Sequence, residues 1–118
     1  MSTQFQLLSD FFPHPDVCVR SLELHDRTLT ATLSGQIRLD ASSSLQEFLQ
    51  NQITQYKPRC LILDCNELSF VDSQGLAMLL QIHRDCRATD ALLSLRDPST
   101  FLRDLLRLTR IDTYFNLC

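Results

Sequence analysis

Glycine is scarce in this chain, and charge of one sign is nowhere concentrated in a long run. Only two of the 118 residues are glycine, too few for a glycine-rich loop that cradles a phosphate. The net charge is −3 and no basic cluster is visible, whereas nucleic-acid binding needs a concentrated positive surface. The sequence therefore favours neither an intrinsic kinase or nucleotide hydrolase nor a protein with nucleic acid as its main partner.

Long apolar runs are absent as well. No stretch reaches the roughly 18 to 20 apolar residues that cross a bilayer, and the N-terminus lacks the basic segment and apolar core of a secretory signal. We therefore expect no membrane span and a cytoplasmic location. The composition, 44% hydrophobic and 21% charged, is that of a globular protein, and the length predicts one domain over residues 1–118.

Cysteine occurs five times, an odd number that does not indicate a disulfide framework in a chain without a secretory signal. Cys60 and Cys65 have no second cysteine pair or histidines at the spacing of a zinc site. We therefore predict no metal site and no cofactor. The cysteines are expected to be reduced thiols that are buried as small hydrophobic side chains.

What the chain does contain is a succession of strand-like and helix-like patterns. Alternating or continuous apolar residues predict strands at 17–24, 28–33, 60–65 and 91–95. Apolar residues at helical spacing predict helices at 45–57, from 73 onward and at 97–109. The first two strands form an antiparallel hairpin, and the later alternation implies parallel strands with right-handed crossovers. The predicted fold is α/β: a four- to five-stranded, mixed, mostly parallel sheet with three or four helices mainly on one face.

Two segments leave alternatives open. Residues 1–16 are rich in apolar side chains and contain two prolines, which predicts either an apolar arm or a short helix. Its large apolar residues either pack on the domain or form a homodimer contact; they include Phe5, Leu8, Phe11 and Phe12. Residues 40–44, with the sequence DASSS, have the oxygen-bearing side chains of a helix cap, so the first helix is expected to begin at Leu45.

The segment VDSQGL at residues 71–76 has the greatest functional interest. It follows the predicted central strand and opens a helix, and in an open α/β sheet such a turn lies where ligand sites collect. Asp72 and Ser73 are both good cap residues, so one interpretation is a helix cap and nothing more. The other is a docking loop, in which a phosphate on Ser73 would add nearly two negative charges to an exposed surface.

The order of these residues resembles the STAS domain family, which includes the anti-sigma factor antagonists of bacteria. DSQGL at 72–76, after LSFV at 68–71 and the strand LILD at 61–64, is similar to the family's Asp-Ser-x-Gly-Leu signature. Gly35-Gln36-Ile37 is similar to the family's Gly-Glu-(Leu/Ile) before the first helix, and residues 102–109 to its final amphipathic helix. The resemblance covers roughly residues 17–117.

The resemblance implies a regulatory protein-binding module without enzymatic activity. Ser73 would be phosphorylated by a partner anti-sigma factor or related serine/threonine kinase, and a phosphatase would reverse the change. The implied docking residues are Asp72, Ser73, Gln74, Gly75, Arg38 and Asp40. Arg38 stands where the family often has Asp, and Gln74 where a smaller residue is common. The alternative is a STAS subunit or scaffold without phosphorylation, such as the cytoplasmic accessory of an ABC lipid transporter.

A hydrolase triad of Ser73, His83 and Asp64 fails on distance. Ser73 and His83 are ten residues apart on one predicted helix, or about 15 Å, so they cannot share a hydrogen bond. We therefore predict no catalytic residue, and we expect His83 to be a packed histidine beside the apolar stripe of its helix.

Overall fold

A computed structural model describes residues 5–8 and 16–117, with side chains at 16–38 and 41–115. Six strands, three α-helices and one short 3-10 helix follow one another along the described chain. The strands are β1 (Phe5–Leu8), β2 (Val17–His25), β3 (Thr28–Ile37), β4 (Cys60–Val71), β5 (Leu92–Arg96) and β6 (Asn116–Leu117). The α-helices are α1 (Leu39–Tyr56), α2 (Ser73–Ala88) and α3 (Thr100–Leu108), and the 3-10 helix is Asp112–Tyr114.

The strands lie in one mixed sheet in the order in which they occur along the chain. β1, β2 and β3 pair antiparallel, and β3 to β6 pair parallel. The predicted fold class and the predicted hairpin are confirmed. Beyond the four strands of the sequence pattern, the sheet has two short edge strands, β1 and β6. Each is only two to four residues long, which is too short for a distinct alternation in the sequence.

The N-terminal segment is extended where the structure describes it. Residues Phe5–Leu8 form β1 and pair with β2, so the prediction of a helix does not hold for these four residues. The free edge of β2 offers unpaired backbone groups, and pairing with them satisfies the backbone of the arm. Phe11 and Phe12 lie outside the described residues, as do the side chains of β1. The homodimer contact stays a prediction.

One face of the sheet is covered by the helices, and the central strand β4 keeps its apolar side chains on that face along its whole length. Two irregularities against β3 each add one residue to β4, between Asp64 and Glu67 and again between Leu68 and Phe70. Because of the extra residues, apolar side chains beyond Cys65 again face the helices. The buried positions of β4 are Leu61, Leu63, Cys65, Leu68 and Val71. The second irregularity leaves Phe70 partly exposed beside buried Val71.

The first helix starts earlier than predicted. α1 begins at Leu39 with Arg38 as its N-cap residue, and residues 40–44 lie inside its first turns. The carbonyl of Arg38 accepts the N–H groups of Ala41 and Ser42, both at 2.9 Å, and no side chain caps the helix. Ala41 is fully buried, so packing of the first turn against the core outweighs the capping preference of the serines. The predicted end at Lys57 and Pro58 is confirmed, with Lys57 in the left-handed conformation.

Candidate functional site

The neighbouring ends of β3 and β4 build the candidate site. Ile37 pairs with Val71 in parallel register, and the N–H of Asp72 donates to the carbonyl of Ile37 at 3.1 Å. Each strand therefore ends at the same level, and each passes directly into a helix. Arg38 precedes α1 and Asp72 precedes α2, so the N-termini of two helices, with the positive ends of their dipoles, lie at one edge of the sheet.

Asp72 is the residue that caps α2. Its backbone is extended, and its side-chain Oδ1 accepts the N–H of Gly75 at 2.8 Å. Its own carbonyl accepts the N–H of Leu76 at 2.9 Å, which closes the first turn of the helix. Of the two cap candidates in the sequence, Asp72 takes the capping position and Ser73 becomes the first helical residue.

Ser73 and Gln74 are exposed, whereas Gly75 and Leu76 turn inward. Ser73 stands at the first position of α2, where a negative group is favoured by the helix dipole. The cap at Asp72 is independent of the Ser73 hydroxyl, because it joins Asp72 to the backbone of Gly75. A modification of Ser73 is therefore sterically accessible and leaves the cap bond in place.

Gly75 allows α2 to approach the sheet closely. A Cβ at this position would lie 2.6 Å from Cγ1 of Val71 and 2.9 Å from Cγ2 of Ile37. It would also lie 3.1 Å from the carbonyl oxygen of Ile37. Glycine is thus required for packing at the point where β3, β4 and α2 meet. The other glycine, Gly35, has a φ of 104°, and a Cβ there would overlap the carbonyl oxygen of Asp16.

Arg38 forms part of an exposed aromatic cluster beside the motif. Its guanidinium carbon lies 5.6 Å from the ring centroid of Phe70, within the range of a cation–π contact. Phe70 in turn stacks on Phe101 of α3, with centroids 5.7 Å apart and planes at 24°. Phe101 is 47% exposed, which is unusual for so large an apolar side chain. Arg38, Phe70 and Phe101, here called the Arg38 cluster, thus form a surface of mixed charge and apolar character.

Sequence reasoning missed Phe70 and Phe101 as surface residues. Phe101 falls outside the apolar stripe of α3, whose buried members are Leu102 and Leu106, and this offset is the signal that marks it as exposed. Phe70 carried no such signal, because the irregularity that turns it outward depends on pairing with β3. The structure places Asp40 in the first turn of α1, and its side chain lies outside the described residues. Its contribution to docking stays a prediction.

The remaining reactive side chains lie away from the motif. Burial raises the pKa of Cys65 and that of Cys86 to about 12, with smaller contributions from the neighbouring carboxylates, so both thiols stay protonated at neutral pH. Cys18 and Cys60 are only partly buried, which is less than the sequence predicted. Among residues with described side chains, no three His, Cys, Asp or Glu groups are arranged to hold a metal ion.

His83 packs between two aromatic rings, those of Tyr114 at 5.6 Å and Phe115 at 5.8 Å. Loss of solvation lowers its pKa, and the positive charges of Arg87 and Arg84 lower it further. The ring is therefore neutral at pH 7. The prediction of a packed histidine is confirmed. None of the helices in the described part of the chain has the length and apolar composition needed to span a membrane.

The fold and this strand–helix edge agree with the comparison to known proteins. The model of the STAS domain family matches residues 20–118, and the chain belongs to that family. One similar solved structure is the anti-sigma factor antagonist SpoIIAA in its unphosphorylated form, with 20% identity over 98% of this chain and 88% of that chain and a TM-score of 0.68.

Two further structures extend the comparison. The Bacillus cell fate determinant SpoIIAA in its phosphorylated form is 18% identical over 99% of this chain and 91% of that chain, with a TM-score of 0.63. A sulfate transporter family protein from Wolinella succinogenes is 15% identical over 80% of this chain and 79% of that chain, with a TM-score of 0.65. At these identities the likeness shows the shared fold.

The cap bond predicts a difference between two substitutions of Asp72. Asp72→Ala removes the acceptor for the Gly75 N–H and should lower the free energy of unfolding by about 1 kcal/mol, whereas Asp72→Asn keeps an oxygen acceptor and should cost only a fraction of that. Urea titration followed by circular dichroism measures both values. Equal losses in the two variants would show that the negative charge, and not the cap bond, matters at this position.

The close approach at Gly75 predicts a steric cost. Gly75→Ala should lower the free energy of unfolding by about 1–3 kcal/mol, because the new methyl group meets Val71 and Ile37. Exposed Gln74→Ala is the matched control and should change stability by less than about 0.5 kcal/mol. Combining Gly75→Ala with Val71→Ala makes room for the methyl group. The double variant should therefore lose less unfolding free energy than the sum of the losses in the two single variants. Strict additivity in urea titrations would contradict the proposed overlap.

Proposed function

We propose that this STAS domain is a regulatory protein-binding module that docks an anti-sigma factor or related serine/threonine kinase through the edge around Ser73. Phosphorylation of Ser73 releases the partner, and a phosphatase restores binding. The observation that carries the proposal is the exposure of Ser73 at the first position of α2, beside a cap that does not use its hydroxyl. The similarity to SpoIIAA, which has been solved in both unphosphorylated and phosphorylated forms, supports it.

The switch acts through charge and not through refolding. A phosphoryl group adds nearly two negative charges at pH 7, and the positive end of the α2 dipole offsets part of this charge locally. The Asp72 carboxylate stands next to it and is held in place by the Gly75 N–H, so the surface becomes strongly negative while the helix stays capped. A partner surface that fits the neutral serine is then repelled by like charge or must desolvate the phosphate.

Arg38 sets the charge that the partner must present. It is exposed next to the motif, and its guanidinium contacts the ring of Phe70. This contact restricts the side-chain conformations of Arg38 and keeps its positive charge along the edge. A partner that docks here gains from an acidic group opposite Arg38 and an apolar group opposite Phe101. Docking residues Asp72, Ser73, Gln74, Arg38 and Asp40 belong to this proposal, with Gly75 acting through packing. The module has no catalytic activity of its own and works in the cytoplasm without a cofactor.

A second candidate function follows from the likeness to the sulfate transporter family protein of Wolinella succinogenes. In that alternative the domain is a non-phosphorylated subunit or scaffold of a larger assembly, such as the accessory of an ABC lipid transporter. The same edge would serve as a permanent interface, and Ser73 would act only as a small exposed residue. The nature of the captured partner and the effect of charge at Ser73 separate the two functions.

Substitutions of Ser73 test the switch. We expect immobilised wild-type protein and Ser73→Ala to retain a kinase or anti-sigma factor from native extract, and Ser73→Asp to lose it, because the carboxylate places negative charge in the interface. Thr54→Asp, a change of the same charge at an exposed site late in α1, is the matched control and should retain the partner. Mass spectrometry identifies the bound proteins.

Addition of ATP to the retained complex extends the same test. Phosphate should appear on Ser73 of the wild type and not on Ser73→Ala, and release should accompany it. Retention by Ser73→Asp equal to that of the wild type, with no modification of Ser73, would rule out the switch. Capture of a transporter subunit that is insensitive to Ser73→Asp would favour the second candidate.

Charge reversal at Arg38 tests the orientation of docking. Arg38→Glu should slow association with the captured partner, and the dependence of the association rate on salt should weaken, because a charge at the rim of an interface acts mainly on the encounter. Arg59→Glu, the same change at an exposed position before β4, should leave the rate unchanged. Surface plasmon resonance at several salt concentrations measures both. Equal effects of the two variants would place docking elsewhere.

A further inference from the structure

A groove lies along the part of α2 that is remote from Ser73. Leu80, His83, Arg84 and Arg87 form one stripe at helical spacing, and Ile111 and Tyr114 from the C-terminal segment form the opposite wall. Its volume is about 480 Å³. A second lobe of about 450 Å³ shares His83, Arg87 and Tyr114 and continues to Leu92 at the start of β5. The size is in the range of small-molecule sites, which is about 300–1,000 Å³.

The walls are apolar while one rim is positively charged. Leu80 and Ile111 supply aliphatic surface, and the ring of Tyr114 is 53% exposed. Arg84 and Arg87 stand one turn apart along this rim, and no carboxylate lines either lobe among the described side chains. The arrangement combines apolar contact area with two exposed cations. A purely apolar ligand would leave the cations unused, and a small ion would leave the apolar walls uncovered.

The two arginines have no ion pair among the described side chains. The carboxylate closest in sequence, Asp85, is engaged by other side chains: it accepts hydrogen bonds from Gln50 at 2.7 Å and Gln81 at 3.1 Å. Arg84 has one weak contact, 3.5 Å from its guanidinium to Gln81 Oε1. In a chain with a net charge of −3, two unpaired cations beside an apolar groove need a different explanation from general surface charge.

We propose that this groove binds a small amphipathic anion, in which an aliphatic or aromatic body carries one carboxylate, phosphate or sulfonate group. The charged group is received by Arg84 and Arg87, whose guanidinium groups suit the planar or tetrahedral oxygens of such anions. The body lies along Leu80 and Ile111 and against the ring of Tyr114. The site is separate from the Ser73 edge and does not depend on the function proposed for it.

The electrostatic state of His83 agrees with this assignment. Its pKa is lowered by desolvation and then by Arg87 and Arg84, so the imidazole is neutral and leaves the two guanidinium groups as the cations of the groove. His83 lies in both lobes, and its ring contacts Tyr114 and Phe115. Its ring protons therefore report on anything that enters either lobe.

Binding is tested with the dye 8-anilinonaphthalene-1-sulfonate, which has an apolar aromatic body and one sulfonate. We expect its fluorescence to rise with the folded protein, and octanoate to displace it. Octanol, of the same chain length without charge, should displace it about tenfold less well, because the two charge-assisted contacts are missing. Displacement by octanol equal to that by octanoate would overturn the role of the arginines.

Substitutions of the two arginines test whether they bind the charged group. Arg84→Gln combined with Arg87→Gln should raise the dissociation constant for the dye and for octanoate by about tenfold or more. Lys57→Gln combined with Arg103→Gln removes the same charge outside both lobes and should leave both constants unchanged. Equal weakening in the two double variants would show that only net charge matters and would overturn the proposal. The urea midpoint of each variant confirms that it is folded.

A nuclear magnetic resonance titration of the unchanged protein gives a second readout that needs no variant. Octanoate should shift the ring signals of His83 and Tyr114 and leave those of Phe70 and Phe101 in place. Shifts confined to Phe70 and Phe101 would locate the ligand at the Arg38 cluster and overturn the proposal. Displacement of the dye by poly-glutamate but not by octanoate would show that the groove accepts an acidic polypeptide instead, and would overturn it equally.

Discussion

The parallel pairing of Ile37 with Val71 is the constraint on which the candidate site depends. It brings two strand ends to the same level, and the bond from the Asp72 N–H to the Ile37 carbonyl holds the departing chains together. Gly75 lets α2 descend onto this junction, because any side chain there would meet Val71 and Ile37. The two extra residues of β4 keep its buried face in phase up to this point. Without the first, Leu68 would turn outward, and with the first but not the second, Val71 would, so the junction would lose core contacts in either case.

At this junction the backbone is held rigidly while several side chains are exposed. The capping carboxylate and the packed glycine fix the backbone, while Ser73, Gln74 and the Arg38 cluster project from it without contributing to the core. Chemistry on Ser73 therefore changes the charge of the surface at little cost to folding. Such a division suits a module that is read by partners, since affinity can change by electrostatics while the scaffold stays the same.

The strand–helix succession, the hairpin and the start of α2 were predictable because each depends on a local pattern: alternation, helical spacing, or a capping residue before an apolar stripe. The position of Asp72 and Ser73 between a strand and a helix was predictable from motif order. The early start of α1 was not, because burial of Ala41 overrides the capping preference of its neighbours. Neither was the outward turn of Phe70, which arises from a register irregularity between β3 and β4. The groove along α2 also escaped prediction, because its second wall comes from residues 111–115, about thirty positions away.

Helix α2 carries both surfaces, and its length decides whether they can influence each other. Ser73 and His83 are about 15 Å apart along the helix axis, whereas charges at physiological ionic strength are screened over about 8 Å. A phosphate on Ser73 is therefore felt weakly at Arg84 and Arg87. Motion of the helix as a whole is restricted too, because it is anchored by Gly75 at one end and by buried Ile82 and Cys86 toward the other. The two proposed sites can then be occupied independently, so the charge switch proposed at Ser73 does not require an empty groove.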